Sequence, residues 1–181
     1  MIVRYCSRCG SERLSSRIPE GDYNTRLVCL NCGTIHYINP RLIVGCIPAV
    51  NDKVLLCRRA IEPCYGKWNI PAGFMEINET AEEGARRETL EEAGADVKIE
   101  KLHCIYSIPH VDQVYLIFLA RLQQNHFSPG AESLEVKLFN ESDLPWDDLA
   151  FTSNVFALQK YFENRDGVET YIGHHTYNHR F

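Results

Sequence analysis

The chain contains no apolar run long enough to cross a bilayer as a helix. The longest candidate, residues 111–122, is interrupted by Asp112 and Gln113. It also has no excess of positive charge. The formal net charge is −5, which argues against a general nucleic-acid binder, because such proteins carry a basic footprint. The opening stretch MIVRYCSRCG has no apolar segment of signal-peptide type before its first cysteine, so a cytoplasmic protein free of membranes is the default expectation. No internal repeat or low-complexity tract is present, which excludes a repeat architecture. What remains is ordinary for a soluble globular protein: 181 residues, 45% hydrophobic and 24% charged, enough for one normal domain plus a small accessory.

The eight cysteines divide unevenly. Cys6-x-x-Cys9 and Cys29-x-x-Cys32 are paired motifs separated by residues 10–28, within the spacing range of a four-cysteine zinc site. Gly10 and Gly33 each follow the second cysteine of a pair, where a knuckle turn needs backbone freedom. Short strands are expected over 13–18 and 25–27, around a turn at Gly21-Asp22. Residues 1–38 therefore read as a zinc ribbon with Cys6, Cys9, Cys29 and Cys32 as ligands. So small a module has almost no hydrophobic core, and metal must replace the missing burial. With four thiolates around Zn²⁺ its charge is close to neutral, which favours a structural or dimer-building role over nucleic-acid contact. Two redox-active Cys-x-x-Cys pairs would call for a βαβ context that is absent. Cys46, Cys57 and Cys104 stand in strand-like apolar runs and read as small buried hydrophobes.

A helix is expected to begin at Ala81, behind a Thr80-x-x-Glu83 capping box, and to end at Gly94, which suits the left-handed C′ position. Ala81, Gly84, Ala85, Thr89 and Ala93 allow it to pack closely on a sheet. Glu88, Glu91 and Glu92 lie in its last two turns, where the helix is already electronegative and a cation would be favoured. Glu88 and Glu92 also stand four apart on one face, a like-charge pair costing a few tenths of a kcal/mol. A solvated, charge-laced helix does not explain that placement; divalent cations on that face do. The preceding segment, 69–74, carries Pro71 and Gly73 and reads as a shaped loop.

Residues 73–95 place Gly73, Glu79, Arg87-Glu88-Thr89, Glu91-Glu92 and Gly94-Ala95 at the intervals of the Nudix signature, and the chain resembles the Nudix hydrolases. The resemblance implies that Glu88, Glu91 and Glu92 bind Mg²⁺ or Mn²⁺, with the Gly73 carbonyl joining them, Glu79 assisting and Arg87 orienting a glutamate. Strands expected over 42–50, 53–59, 97–108, 113–122 and 135–140, with a second helix over 151–163, suit a mixed sheet between helices. The fold class is α/β: an α/β/α sandwich over 39–181, preceded by the ribbon.

Hard divalent ions held by carboxylates suit phosphate chemistry. The chain is similar over most of its length to zinc-ribbon Nudix proteins of the FAD/ADP-ribose pyrophosphatase type. The shared segments include Asn39-Pro40, Val44-Gly45-Cys46, residues 68–73, Phe127-Ser128-Pro129-Gly130 and residues 132–135. That resemblance implies release of AMP from ADP-ribose or FAD, a nucleoside diphosphate-linked small molecule as partner, a homodimer, and Glu135 beside the catalytic glutamates. An ordinary solvent-facing strand residue is the equal alternative for Glu135. Pro109 is placed as in the ADP-ribose pyrophosphatases. The region 107–115 lacks the aromatic-proline run of the NADH pyrophosphatases, which weighs against NADH or NAD-capped RNA. Those activities and a catalytically silent nucleotide sensor stay open as alternatives. Flat substrates call for aromatic platforms, for which Tyr65, Trp68, Phe74, Tyr106, Tyr115 and Phe151 are candidates, and for cations such as Arg58, Arg59 and Lys67. Residues 163–181 read as a polar tail, and His174, His175 and His179 as exposed surface histidines.

Overall fold

The computed structural model describes residues 3–124 and 126–175. It separates into two compact units, Met1–Asn39 and Pro40–Phe181. In the first, β1 (Leu14–Arg17) pairs antiparallel with β2 (Arg26–Cys29), which also pairs with β3 (Ile35–His36). The β1–β2 turn is tied by Asp22, whose carboxylate accepts from the amides of Tyr23 at 2.7 Å and Asn24 at 3.0 Å and from Arg26 Nε at 2.8 Å. Arg26, with those amides, holds the Asp22 carboxyl at about 2. Strand β3 has only two residues, too few to show a period in the sequence.

The second unit is built on β4 (Arg41–Val50), β5 (Lys53–Arg59), β6 (Trp68–Asn69), β7 (Ala72–Phe74), β8 (Val97–Ile108), β9 (Gln113–Leu122), β10 (Ser133–Phe139) and β11 (Tyr171–His174). Its helices are α1 (Ala81–Ala93) and α2 (Thr152–Glu163). The sheet runs β10-β5-β4-β9-β8-β11, with β6 on β5 and β7 on β4. Pairs β4–β9 and β8–β11 are parallel and the others antiparallel, so the sheet is mixed.

Period-two alternation fixes which face each side chain takes. Ile43 and Ile47 of β4, Val54 and Leu56 of β5, and Tyr115, Ile117 and Leu119 of β9 join the core that includes Ala157, Leu158 and Tyr161 of α2. Their neighbours Val44, Cys46, Leu55, Cys57, Phe118 and Ala120 join a second core with Ala85 and Ala93 of α1. Each face of the sheet is thus covered by one helix, the α/β/α arrangement expected.

The β4–β5 hairpin turns at Asn51, which adopts φ 52°, yet it pairs only at Ala49↔Val54 and Val50↔Lys53. Further along, β7 takes the edge of β4 through Val44↔Gly73 and Gly45↔Ala72, and β6 takes that of β5 through Cys57↔Asn69. The segment expected as a loop is therefore two short strands. They carry Gly73 across Val44, on the strand that α1 packs against. At the other edge, β11 lies in the expected polar tail and pairs parallel with β8. Its Ile172 is 80% exposed, so no buried alternation marked it as a strand. His174 is exposed and His175 half-buried; His179 lies outside the described residues. Among the described residues no helix is long and apolar enough to cross a membrane.

Candidate active site

Helix α1 starts where its cap dictates. Glu83 N–H donates to Thr80 Oγ1 at 3.2 Å, and Thr80 N–H donates to Glu83 Oε2 at 2.8 Å. Gly94 closes it at φ 57°, its N–H bonded to the Leu90 carbonyl at 2.9 Å. The carbonyls of Glu92 and Ala93 are then met by the amides of Gly130 at 3.0 Å and Ser128 at 2.8 Å. The 127–130 segment thus satisfies backbone groups that a helix end leaves open, and the last-turn carboxylates are free to face elsewhere.

They gather around Arg87 and Gly73. Arg87 donates to both oxygens of Glu79, at 3.0 and 2.9 Å, to Glu88 at 2.6 Å, to Glu91 at 3.2 Å and to the Phe74 carbonyl at 3.1 Å. Such a planar fork fixes several carboxylates at once. It holds the Glu79 carboxyl at about 2. A Cβ at Gly73 would run into the Glu88 carboxylate and push it aside, so glycine here lets that carboxylate lie directly against the strand. Glu92 is 8% exposed and accepts a 3.3 Å bond from Ala72 N–H. Burial first, and then the charge of Glu88, push its carboxyl up to about 8. Burial raises Glu88 as well, against the pull of Arg87. Two carboxylates held up by burial at the electronegative end of a helix form a cation-seeking pair.

These groups line one cavity of about 730 Å³, together with Arg59, Phe74, Tyr115, Phe151, Asn154 and Glu132. The NUDIX domain model matches residues 39–159. The chain belongs to the Nudix family. The Nudix N-terminal zinc-ribbon model matches residues 4–38. A crystal structure of a Nudix hydrolase from Nitrosomonas europaea is 52% identical, with a TM-score of 0.90, over 96% of this chain and 99% of that one. An ADP-ribose pyrophosphatase from Methanocaldococcus jannaschii is 31% identical over 60% of this chain and 67% of its own. An NAD-capped RNA hydrolase, NudC, from Vibrio atlanticus is 28% identical over 79% of this chain, which spans about half (51%) of that relative. The protein is a Nudix hydrolase, and enzymes of this family use divalent metals.

In this Nudix hydrolase, Gly73, Arg87, Glu88, Glu91, Glu92, Arg59 and Phe74 border the cavity, with Glu79 tied to them through Arg87. Glu135, Arg58, Trp68 and Pro109 do not, nor do the further candidates Lys67, Tyr65 and Tyr106. Glu135 is exposed on β10, its carboxylate 3.8 Å from Arg58. Arg58 itself donates through Nε to the Gly66 carbonyl at 2.8 Å. Trp68 is core, edge-on to Phe139 at 4.8 Å. Pro109 begins an exposed 3-10 turn. Glu132 takes the place expected of Glu135: it lines the cavity and bears electrostatically on both Glu88 and Glu92. A register shift between Ser133 and Glu135 separates the two glutamates, and strand parity read from the sequence does not contain that shift. Of the aromatic candidates, Phe74, Tyr115 and Phe151 reach the cavity, and Arg59 lies 5.0 Å over the Phe151 ring. Asn154, Gln113 and Asn69 also line it and carried no sequence signal. Cys46 and Cys104 are buried thiols pushed up to about 12 by burial.

In the first unit the sulfurs of Cys6, Cys9, Cys29 and Cys32 all lie within 4.8 Å of one another. Cys6–Cys32 are 3.6 Å apart and Cys9–Cys29 3.7 Å. Four thiolates at about 2.3 Å from a tetrahedral ion stand about 3.8 Å apart, so the cluster has the size of a zinc cage. The two knuckles are alike: Gly10 N–H bonds to Cys6 O and Gly33 N–H to Cys29 O, each at 2.9 Å, with φ of 72° and 74°.

Proposed function

We propose that this Nudix hydrolase cleaves the diphosphate bridge of ADP-ribose-type substrates, FAD among them, and releases AMP. The observation that carries the reading is the pair of carboxylates, Glu92 buried and Glu88 half-buried, with Glu88 set directly against Gly73. The Methanocaldococcus relative, named an ADP-ribose pyrophosphatase, supports the substrate class. Glu88, Glu91, Glu92 and the Gly73 carbonyl would hold Mg²⁺ or Mn²⁺: the donors are all oxygen, and the glycine cradle fits that use. Bound there, such ions neutralise a diphosphate and lower the pKa of a water. A structural Zn²⁺ would sit among the four ribbon thiolates.

The remaining work belongs to side chains. Arg87 holds Glu79, Glu88 and Glu91 in register, so it positions ligands rather than touching substrate. Hydrolysis joins water oxygen to phosphorus and breaks the bond from phosphorus to the bridging oxygen, and the water must give up a proton. Glu132, on the cavity wall beside Glu88 and Glu92, is our candidate acceptor in place of Glu135. Arg59 offers its guanidinium to the phosphates.

The test is AMP release from ADP-ribose, FAD and NADH side by side, with Mg²⁺ and with Mn²⁺. ADP-ribose or FAD should lead. A clear preference for NADH would move the assignment toward the NudC relatives, whose similarity covers 79% of this chain. No release from any of the three would leave a nucleotide-sensing role. A homodimer is the proposed assembly, to be read by light scattering.

A further inference from the structure

We propose that Phe151 is a positioning residue of this site: its ring seats the Arg59 guanidinium so that the two Nη groups meet the substrate diphosphate. The inference rests on the function proposed above and deepens it. The two arginines that line the cavity are used differently. Arg87 gives its donors to Glu79, Glu88, Glu91 and the Phe74 carbonyl. Arg59, at the end of β5, is 8% exposed. Among the described residues its side chain makes one hydrogen bond, from Nε to the Pro63 carbonyl at 2.8 Å, and its Nη atoms have no partner. They are not shut in either: the sealed, unpartnered side-chain atoms among the described residues are His36 Nε2, Ser133 Oγ, Ser153 Oγ and Asn154 Nδ2. The Nη groups therefore open on the cavity that Arg59 lines. A cation so buried and without a counter-ion is costly unless an anion arrives with the ligand. Its charge is already felt at Glu92, which places that anion beside the carboxylates of α1.

The backbone under Arg59 is pinned, its N–H bonded to the Lys67 carbonyl at 2.8 Å and its carbonyl to the Gly66 N–H at 2.9 Å. The Nε bond to Pro63 fixes one edge of the guanidinium and leaves the plane free to swing about it. The Phe151 ring closes one side, with its centroid 5.0 Å from Cζ. A guanidinium over an aromatic face is attracted by it, the more so when water is excluded. Phe151 stands just ahead of α2, and the backbone beside it is fixed without Arg59. Ala150 N–H bonds to the Trp68 carbonyl at 2.8 Å and Asn154 N–H to the Phe151 carbonyl at 3.0 Å. From sequence Phe151 is a candidate platform for a flat substrate ring. In the structure a guanidinium takes a face of it, so the ring serves the substrate through Arg59.

The experiment is a double-mutant cycle on the full chain, read in ADP-ribose hydrolysis and in calorimetric binding of ADP, both with Mg²⁺. Phe151→Leu, which keeps an apolar side chain and removes the ring, should lower kcat/KM about tenfold and weaken ADP binding about as much. In an Arg59→Gln background the same substitution should cost less than about twofold, because nothing is left to seat. Phe151→Tyr, which keeps the ring, should stay within about twofold of the wild type in both readouts. Equal losses from Phe151→Leu in the two backgrounds would mark a ring that only packs, and would overturn the proposal. So would an unimpaired Phe151→Leu, a Phe151→Tyr as impaired as Phe151→Leu, or a wild type that binds no ADP. ADP binding that follows this cycle with no ADP-ribose hydrolysis would uphold the seating and overturn the pyrophosphatase reading instead.

Discussion

Among the described residues of Met1–Asn39 the buried apolar side chains are Val28 and the thiols of Cys6 and Cys29, whereas Pro40–Phe181 encloses two separate cores, one on each face of its sheet. Fully burying one Val, Leu or Ile contributes about 1.5–3 kcal/mol, so the second unit is held by many such terms. The first has almost none and brings four sulfurs to within 4.8 Å of one another. Charge is also used in opposite ways. The ribbon gathers thiols where a single ion would satisfy all of them, and the ion is then the core. The Nudix unit places Glu88 and Glu92 against an apolar sheet and accepts a local loss of stability at a site whose stability comes from elsewhere.

Removing one sulfur should separate the two cases most sharply. Cys29→Ser should take bound zinc from one atom per chain to none, read by elemental analysis, and abolish amide protection across β1–β3. A structural zinc site supplies on the order of 10 kcal/mol of folding free energy. The second unit should keep its own melting transition. Glu92→Gln is the converse experiment: AMP release from ADP-ribose should fall on the order of a thousandfold while the protein melts no lower. That loss exceeds the roughly 10–100-fold expected when only a partner of a metal ligand is altered. Arg87→Lys tests that smaller class. It keeps the charge, loses the fork that spans Glu79, Glu88 and Glu91, and should cost turnover about 10–100-fold.

Stability against pH, measured in chelator, gives a subtler reading. The Glu92 carboxyl stands at about 8 in the folded chain, above its unfolded value of about 4.3. The folded state therefore binds more protons between those values, and stability should decline as pH rises from about 4 to about 8, by at most about 1.4 kcal/mol per pH unit from this group. Glu92→Gln should flatten that slope; an equally steep slope in the variant would assign it to other groups. The smallest effect is expected at Glu135. Glu135→Gln should leave turnover within about twofold, since an exposed pair with Arg58 contributes about 0–1 kcal/mol, while Glu132→Gln should lower it clearly.

Local signals carried much of this. The Thr80–Glu83 box and Gly94 bound a helix because caps act over three or four residues. The spacing of Cys6, Cys9, Cys29 and Cys32 anticipated their convergence, because each knuckle closes within its own turn. Continuous apolar runs in β4, β5 and β9 marked strands buried on both faces. The signal failed where pairing alone makes an element. Strand β11 is an edge with Ile172 exposed, and β6 and β7 exist because β4 and β5 diverge and leave edges to fill. The choice between Glu132 and Glu135 turned on a register shift in β10, which depends on its partner β5.

Helix α1, its carboxylates at the unfavourable end, and the thiol knuckles were determined by the chain alone, since bonds among near neighbours fix them. That Glu132, just ahead of β10, lines the cavity while Glu135 does not, and how many carboxylates Arg87 gathers, were decided by the tertiary structure. Those outcomes depend on register and burial between segments far apart in sequence, and no local spacing encodes them.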